Sequence, residues 1–313
     1  MKKKFRIIFM GTPLFSVPTL KALHEENHDV VLVVTQPDRP KGRGRRITQS
    51  PIKETALQLG YDVVQPTSIK TREFVDQLGH YEPDFVIVVA FGQLLPENVL
   101  AQARTGAINV HASLLPKYRG PAPIQWAIIN GELETGICTI LMDKGMDTGD
   151  ILLSLREPIR ADDTAGSLHD RLAKKGANVL TDTLMAYSDN TIQAKPQDHS
   201  AATYAPMLAK NDGRVDWEKS AESLEPFIRG VTPWPGAYTF FKEKRLKLFR
   251  SRPIAIDISE PPGTVLQTFP DELRVATGNG ALCIEEIQGP SGKRLSAKDF
   301  LRGFNIPPGT ILS

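Results

Sequence analysis

The sequence predicts an α/β chain: a doubly wound, mostly parallel sheet followed by a second, smaller β-barrel domain. Three observations carry this. Short apolar, β-branched runs alternate with helical patterns through residue 189, as a doubly wound sheet requires. From about Pro206 the pattern changes to closely spaced short strands separated by Gly and Pro turns. The length of 313 residues also exceeds what one typical core supports. The expected boundaries are a first domain over 1–189, a polar linker over 190–206 and a C-terminal domain over 207–313.

The first strand is expected at Phe5–Met10 and is ended by Gly11-Thr12-Pro13. Further strands are expected at Val30–Thr35, Phe85–Ala90, Ala107–Val110 and Ile137–Met142. The run Phe85-Val86-Ile87-Val88-Val89 is apolar throughout, which suits a parallel strand buried on both faces. Helical patterns lie near Val17–Glu26, Ile52–Leu59, Thr71–Leu78, Glu97–Arg104 and Ala122–Asn130. A longer one, Ala165 to Tyr187, follows the capping candidates Asp162-Asp163-Thr164. In the second domain a helix over Ala221–Arg229 precedes strands at Ala237–Phe241, Leu246–Phe249, Thr264–Thr268, Leu273–Ala276 and Ala281–Ile287. Five strands at this spacing suggest a small, OB-like barrel.

Composition excludes several classes. Hydrophobic residues make up 41% and charged residues 24%, with a net charge of +2, so any nucleic-acid binding must come from local clustering. Cys138 and Cys283 are far apart, which argues against a disulfide framework or a structural zinc site and fits a reducing compartment. Cys138 sits in the apolar run Ile137–Leu141 and reads as a buried thiol rather than a nucleophile. The basic start, Met1-Lys2-Lys3-Lys4-Phe5, is followed by Arg6 and a Gly-Thr-Pro break, so a first strand is expected rather than a signal peptide. No apolar run is long enough to span a membrane. The expected setting is cytoplasmic.

Chemistry concentrates at Asn109-Val110-His111. In a strand, residues i and i+2 share a face, so an amide and an imidazole would aim at one small volume at a strand's carboxyl end. A carbonyl under attack needs such a pair: one group to hold the oxyanion and one to move a proton. Taken alone, Asn109 reads equally as a turn residue and His111 as a satisfied strand-end histidine. A second loop, Met142 to Asp150, carries Asp143, Asp147 and Asp150 with glycines at 145 and 149. It is expected at another strand's carboxyl end, where a carboxylate can orient the imidazole or bind a relaying water; an exposed acidic loop is the alternative. Gly11-Thr12-Pro13 lacks both the GxGxxG and the GxxxxGK pattern, so it reads as a pocket wall and not a dinucleotide site. Ser113 has no evident base beside it.

Five of the eight residues from 39 to 46 are cationic: Arg39, Lys41, Arg43, Arg45 and Arg46. Their glycine and proline spacing predicts a flexible charged arm, relieved of self-repulsion by nucleic-acid phosphates. A solvated basic loop is the plain alternative.

The run Asn109-Val110-His111-Ala112-Ser113-Leu114-Leu115-Pro116-Lys117-Tyr118-Arg119-Gly120, followed by Met142-Asp143 and Asp147-Thr148-Gly149-Asp150, resembles the signature of formyltetrahydrofolate-dependent formyltransferases. The family's glycine after the histidine is Ala112 here. Phe9–Pro13, Thr35–Pro40, the basic insertion and a C-terminal barrel with Trp234-Pro235 extend the resemblance over nearly the whole chain, toward the branch acting on methionyl initiator tRNA. The resemblance implies a Rossmann-like catalytic domain, a tRNA-contacting barrel and formyl transfer from 10-formyltetrahydrofolate to the methionyl α-amino group. It implies Asn109, His111 and Asp147 as the catalytic trio. It places Ser113, Leu114, Leu115 and Pro116 at the folate border, and Phe91, Gly92, Gln93, Leu94, Leu141 and Asp143 around the pterin. It assigns Arg43 a discriminating tRNA contact and Arg39, Lys41, Arg45 and Arg46 contacts to tRNA, with Lys242, Lys244, Arg245 and Lys247 as a basic face on the barrel. Strand-edge lysines that prevent aggregation are the alternative for that face. Neither a metal nor an obligate protein partner is implied.

The rivals are a formyltransferase acting on glycinamide ribonucleotide or an amino sugar nucleotide, a hydrolase releasing formate from the same folate, and a non-catalytic RNA-binding protein. If the arm meets phosphates, Arg43→Ala with Arg45→Ala flattens the slope of log K against log[salt] for tRNA binding by roughly 1–2 units. An unchanged slope removes the arm from the interface.

Overall fold

A computed structural model of the chain describes residues 3–41, 46–266 and 271–313, with the backbone alone at Lys41 and Arg46. The chain forms two compact units: residues 1–123, 134–158 and 169–206 in one, and 124–133, 159–168 and 207–313 in the other.

The first unit is built on a seven-stranded sheet. Its strands are β1 (Arg6–Gly11), β2 (Asp29–Val34), β5 (Val63–Val64), β6 (Phe85–Val89), β7 (Gly106–His111), β8 (Glu134–Leu141) and β9 (Asp150–Pro158), in the order β5-β2-β1-β6-β7-β8-β9. The first five are parallel, and β8 and β9 complete the sheet antiparallel to their neighbours. Strand β9 had no counterpart among the expected strands, because Asp150–Pro158 ends in an exposed, charged stretch.

Between these strands lie α1 (Val17–Glu25), α2 (Pro51–Gln58), α3 (Arg72–His80) and α4 (Glu97–Leu100); of the later helices, α5 (Pro123–Ile129) falls in the second unit from residue 124, and α6 (Ala165–Ser188) in the first from residue 169. Side-chain caps start α2 and α3: Ser50 Oγ accepts from Lys53 N at 3.1 Å and Thr71 Oγ1 from Phe74 N at 3.3 Å. Helix α4 stops at Leu100, short of the expected Arg104.

All five residues of β6 are buried. One face of the sheet carries Ile8, Met10, Leu32, Val34, Val86, Val88 and Ala107, packed with Phe74 and Leu78 of α3. The other face meets α6, where Thr139 Oγ1 lies 2.8 Å from Thr183 Oγ1 and Gly176 leaves room for Val110. By the two-residue period of β7, Asn109 and His111 lie on the Ala107 face, away from α6.

Of the segment expected as a charged arm, residues 42–45, with Arg43 and Arg45, lie outside the described residues. Its described ends pair as an antiparallel hairpin, β3 (Arg39–Lys41) with β4 (Arg46–Thr48), in the register Arg39↔Thr48 and Lys41↔Arg46. Lys53 Nζ bonds Asp38 Oδ2 and Gln65 Oε1, both at 2.6 Å, at the hairpin's root.

The second unit holds α7 (Ala221–Gly230) and an antiparallel sheet of β10 (Ala237–Phe241), β11 (Lys244–Ile254), β12 (Leu273–Ala276) and β13 (Ala281–Gln288), ordered β10-β11-β13-β12. A short β14 (Leu295–Ser296) pairs with β13 and leads into α8 (Ala297–Gly303). Its core gathers Trp217, Leu224, Leu246, Leu248, Ile284 and Ile287. The strand expected at Thr264–Thr268 is reduced to single bridges from Thr264 and Val265, and residues 267–268 lie outside the described residues.

One buried charge cluster ties β9 to α6. Glu157, 4% exposed, accepts from Arg171 Nε at 2.5 Å and Lys175 Nζ at 2.6 Å. Burial pushes this carboxyl up, but the hydrogen bonds and charges of Lys175 and Arg171 outweigh it and hold it below the ordinary carboxylate value. Its contribution to stability is therefore present above the unfolded-state value and is lost as pH falls through the lowered folded value. Glu157→Gln should cost about 3 kcal/mol at neutral pH by urea unfolding, and the gap from wild type should narrow as pH falls through the lowered folded value.

Candidate active site

In the strand order, β1 has β2 on one side and β6 on the other, so connections diverge between β1 and β6. In such sheets that divergence opens a crevice at the carboxyl ends. Here its walls are Gly11–Pro13 after β1 and Ala90–Gly92 after β6. Thr12 Oγ1 donates to the Phe91 carbonyl at 3.1 Å and accepts from Gln36 N at 3.4 Å, tying the ends of β1, β2 and β6 together. Ala90 has φ +47° and Gly92 φ +88°; the first is a conformation a Cβ resists, held by its surroundings.

Asn109 and His111 stand one strand further along, at the end of β7. Their ladder partners on β8 are Ile140 and Cys138, which join Leu115 in a small apolar cluster beside them. Because β8 is antiparallel, its carboxyl end lies back beside Ile108 rather than at the crevice, contrary to the sequence expectation. The 142–149 segment is instead a hairpin loop that returns over the Asn109–His111 face. Asp143 Oδ1 shapes it by accepting from Gly145 N at 2.9 Å and Thr148 Oγ1 at 2.6 Å. Gly149 is required, since a Cβ there would sit 1.9 Å from the Leu141 carbonyl oxygen.

The loop delivers Asp147, at φ +54°, to the imidazole and amide. Asn109 Nδ2 donates to Asp147 Oδ1 at 3.2 Å. His111 Nδ1 lies 3.6 Å from the same oxygen, and Gly120 N–H donates to Oδ2 at 2.8 Å. His111, 6% exposed, uses Nε2 to donate to the Tyr118 carbonyl at 3.0 Å. A carbonyl only accepts, so this bond fixes the tautomer and leaves Nδ1 as the nitrogen that can take or give a proton. The separation of 3.6 Å is too long for a direct hydrogen bond. Asn109 retains a second N–H. Chemically, the arrangement offers two donors to a developing oxyanion and a carboxylate that stabilises a cationic imidazole.

Sequence reasoning missed the backbone groups Tyr118 C=O and Gly120 N–H, and the segment 190–206. The latter, expected as a linker, runs against this unit. Ile151 and Lys195 exchange backbone hydrogen bonds of 2.8 Å, Thr203 Oγ1 accepts from Tyr118 N at 2.9 Å, and Gln197 bonds the Asp147 loop. Its polarity resembles a solvated linker because its polar groups answer buried backbone ones.

The expected folate residues divide. Phe91 is 2% exposed within the sheet core, Leu115 belongs to the apolar cluster, and Ser113 is fully buried with its hydroxyl given to the Lys117 carbonyl at 2.7 Å. Leu114, Pro116 and Leu141 are half-buried, Leu94 and Asp143 are exposed, and a Cβ on Gly92 would meet open space. Gln36 Nε2 is buried without a protein partner. An unanswered donor and an open glycine loop beside the crevice suit a flat, polar-edged ring.

Of the expected tRNA contacts, Arg39 is exposed and Lys41 and Arg46 fall in the hairpin strands, while Arg43 and Arg45 lie outside the described residues. In the second unit Lys242, Lys244 and Lys247 are exposed, and the Arg245 guanidinium stacks 3.6 Å from the centre of the Tyr238 ring. Among the described residues no group of three or more His, Cys, Asp or Glu is placed to hold a metal ion.

Comparison with known proteins gives the following. Residues 3–184 match the family Formyl transferase, and residues 207–305 match Formyl transferase, C-terminal domain. The chain is 50% identical over 308 residues to a methionyl-tRNA formyltransferase of Caldanaerobacter subterraneus subsp. tengcongensis, covering 98% of this chain and 99% of that one. It is 49% identical over 311 residues to one of Desulfotalea psychrophila, covering 99% and 96%. Among solved structures, the Helicobacter canadensis N-formyltransferase in complex with folinic acid and dTDP-3-aminofucose shares the fold (TM-score 0.66, 17% identity, 94% of this chain and 100% of that one). So does HypX from Aquifex aeolicus in complex with tetrahydrofolic acid (TM-score 0.62, 19% identity, 96% and 47%).

Both cysteines are buried, and burial is the main cause pushing each thiol above its ordinary value. Native protein should react with a thiol reagent at least about tenfold more slowly than unfolded protein, and Cys138→Ser should keep wild-type turnover. Loss of turnover in that folded variant would reinstate a cysteine nucleophile.

Proposed function

The chain belongs to the formyl transferase family, and we propose that it transfers a formyl group from 10-formyltetrahydrofolate to the α-amino group of methionyl initiator tRNA. The near-complete match to methionyl-tRNA formyltransferases supports this acceptor. The observation that carries the chemistry is the Asp147 carboxylate meeting Asn109, His111 and Gly120 N–H at one point.

The folate supplies the formyl carbon, held along the crevice between the 11–13 and 90–94 loops. Gln36 Nε2 and the exposed backbone at Gly92 are the groups suited to its pterin edge, with Leu94, Pro116 and Leu141 as apolar walls. The Asn109 amide and a proton on His111 Nδ1 face the formyl oxygen and hold the charge that grows there as the amine attacks. The Asp147 carboxylate lies beside the imidazole and, directly or through a water, takes up the amine proton. The bond formed is nitrogen to formyl carbon; the bond broken is formyl carbon to folate nitrogen, which takes up the proton. The hairpin Arg39–Thr48 and the lysines of the second unit are assigned to the tRNA backbone. The expected setting is the cytoplasm, where translation initiates.

The decisive assay offers charged initiator tRNA, charged elongator tRNA and glycinamide ribonucleotide with 10-formyltetrahydrofolate. Initiator tRNA should be the preferred acceptor, and transfer to glycinamide ribonucleotide alone would sink the reading. Asn109→Ala and Asp147→Asn should each lower kcat by about 10²-fold or more, with tRNA affinity within about twofold of wild type. Weakened tRNA binding at unchanged kcat would instead make them binding residues.

A further inference from the structure

Asp147 holds a left-handed backbone conformation that its Cβ resists, in a loop with glycines at 145 and 149. Its side-chain contacts place the carboxylate but do not fix the peptide that carries it. That peptide is fixed elsewhere. Gln197 Nε2 donates to both the Asp147 carbonyl (2.9 Å) and the Gly149 carbonyl (2.7 Å), closing the loop from behind. Gln197 Oε1 accepts from Nε (3.2 Å) and Nη2 (2.7 Å) of Arg119, and Nη2 also donates to His199 Nδ1 at 3.0 Å.

The amide can be oriented in only one way. Turned over, it would set its N–H groups against a guanidinium and its oxygen against two carbonyls. Arg119 thus determines which end of Gln197 faces the loop. Arg119 is 2% exposed, and among the described residues its guanidinium bonds the Gln197 amide and the His199 ring and joins no carboxylate, which is a costly place for a cation with no role beyond packing. Its backbone is clamped by the 203–205 segment: Arg119 N donates to the Thr203 carbonyl at 2.9 Å and Ala205 N to the Arg119 carbonyl at 2.7 Å. Its two neighbours touch the site directly, Tyr118 through the His111 bond and Gly120 through the Asp147 bond. Three consecutive residues therefore hold all the parts of the proton-handling pair, one of them through Gln197.

We propose that Gln197, oriented by Arg119, is a positioning residue that sets the Asp147 loop for catalysis. The inference rests on the proposed function only in that Asp147 acts in the transfer. Gln197→Glu separates positioning from packing. It gives Arg119 an ionic partner and keeps the side chain's shape, but it replaces the donor by an acceptor facing the Asp147 and Gly149 carbonyls. Misplacing a reacting group by about 1 Å costs up to about 10²-fold. Gln197→Glu should lower kcat about 10- to 100-fold, with KM for folate and tRNA within about threefold of wild type. Should that variant fail to fold, Arg119→Lys carries the test. It keeps the cation and loses the fork, and should lower kcat with KM retained. Wild-type kcat in the folded variant overturns the proposal, as does a rise in KM with kcat unchanged. Each variant is read against wild-type turnover on whichever amine the wild type formylates. A failure on methionyl initiator tRNA alone then counts against the acceptor and not against the relay.

Discussion

Asp147 is held at three points, and each comes from a different part of the first unit. Oδ1 meets the amide and imidazole of a strand, and Oδ2 meets a backbone N–H of the loop following that strand. The peptide behind it is gathered by a glutamine some fifty residues away in sequence. A carboxylate this enclosed costs desolvation free energy unless its lone pairs are answered, and here the Asn109 amide and the Gly120 N–H answer them, with the imidazole 3.6 Å away. The interaction is thus both a structural joint and the electrostatic centre of the site.

The sheet explains why the joint can exist. Parallel strands β1, β2 and β6 end in loops that border a crevice, and β7 sets Asn109 and His111 beside it on the face free of α6. The antiparallel turn to β8 withdraws the next loop from the crevice, and only a tightly folded hairpin loop brings a side chain back. That is why Gly149 stands within contact of the Leu141 carbonyl and why Asp147 is left-handed. The strain is local, and the Arg119–Gln197 relay is what over-determines it. In a structure assembled this way, residues remote from the reacting atoms govern their geometry.

Much of this was legible in the sequence. The i, i+2 spacing placed Asn109 and His111 on one face, the apolar run 85–89 announced the central strand, and the capping run Asp162-Asp163-Thr164 stands just before α6. Asp147 was recognisable by its motif, yet its route to the site was misread, because β8 is buried along its length like the parallel strands although it pairs antiparallel. Gln197 escaped for a related reason. Polar residues between two domains look like a linker, and only tertiary structure shows that their partners are buried carbonyls. Ser113 and Leu115 carry a signature without a surface, their side chains being spent on the loop's own packing. In the basic segment the pairing of Arg39–Lys41 with Arg46–Thr48 was not announced, since the proline there argues against helix without arguing for a ladder.

The central claim is that Asn109, His111 and Asp147 act as one unit through the Asp147 carboxylate. A double-mutant cycle on His111→Ala and Asp147→Asn, read as kcat for formyl transfer under single-turnover conditions, tests it directly. Residues acting as a unit are strongly non-additive, so the double variant should be about as slow as the slower single variant. Losses that multiply, each variant retaining its own factor in the presence of the other, would contradict the account.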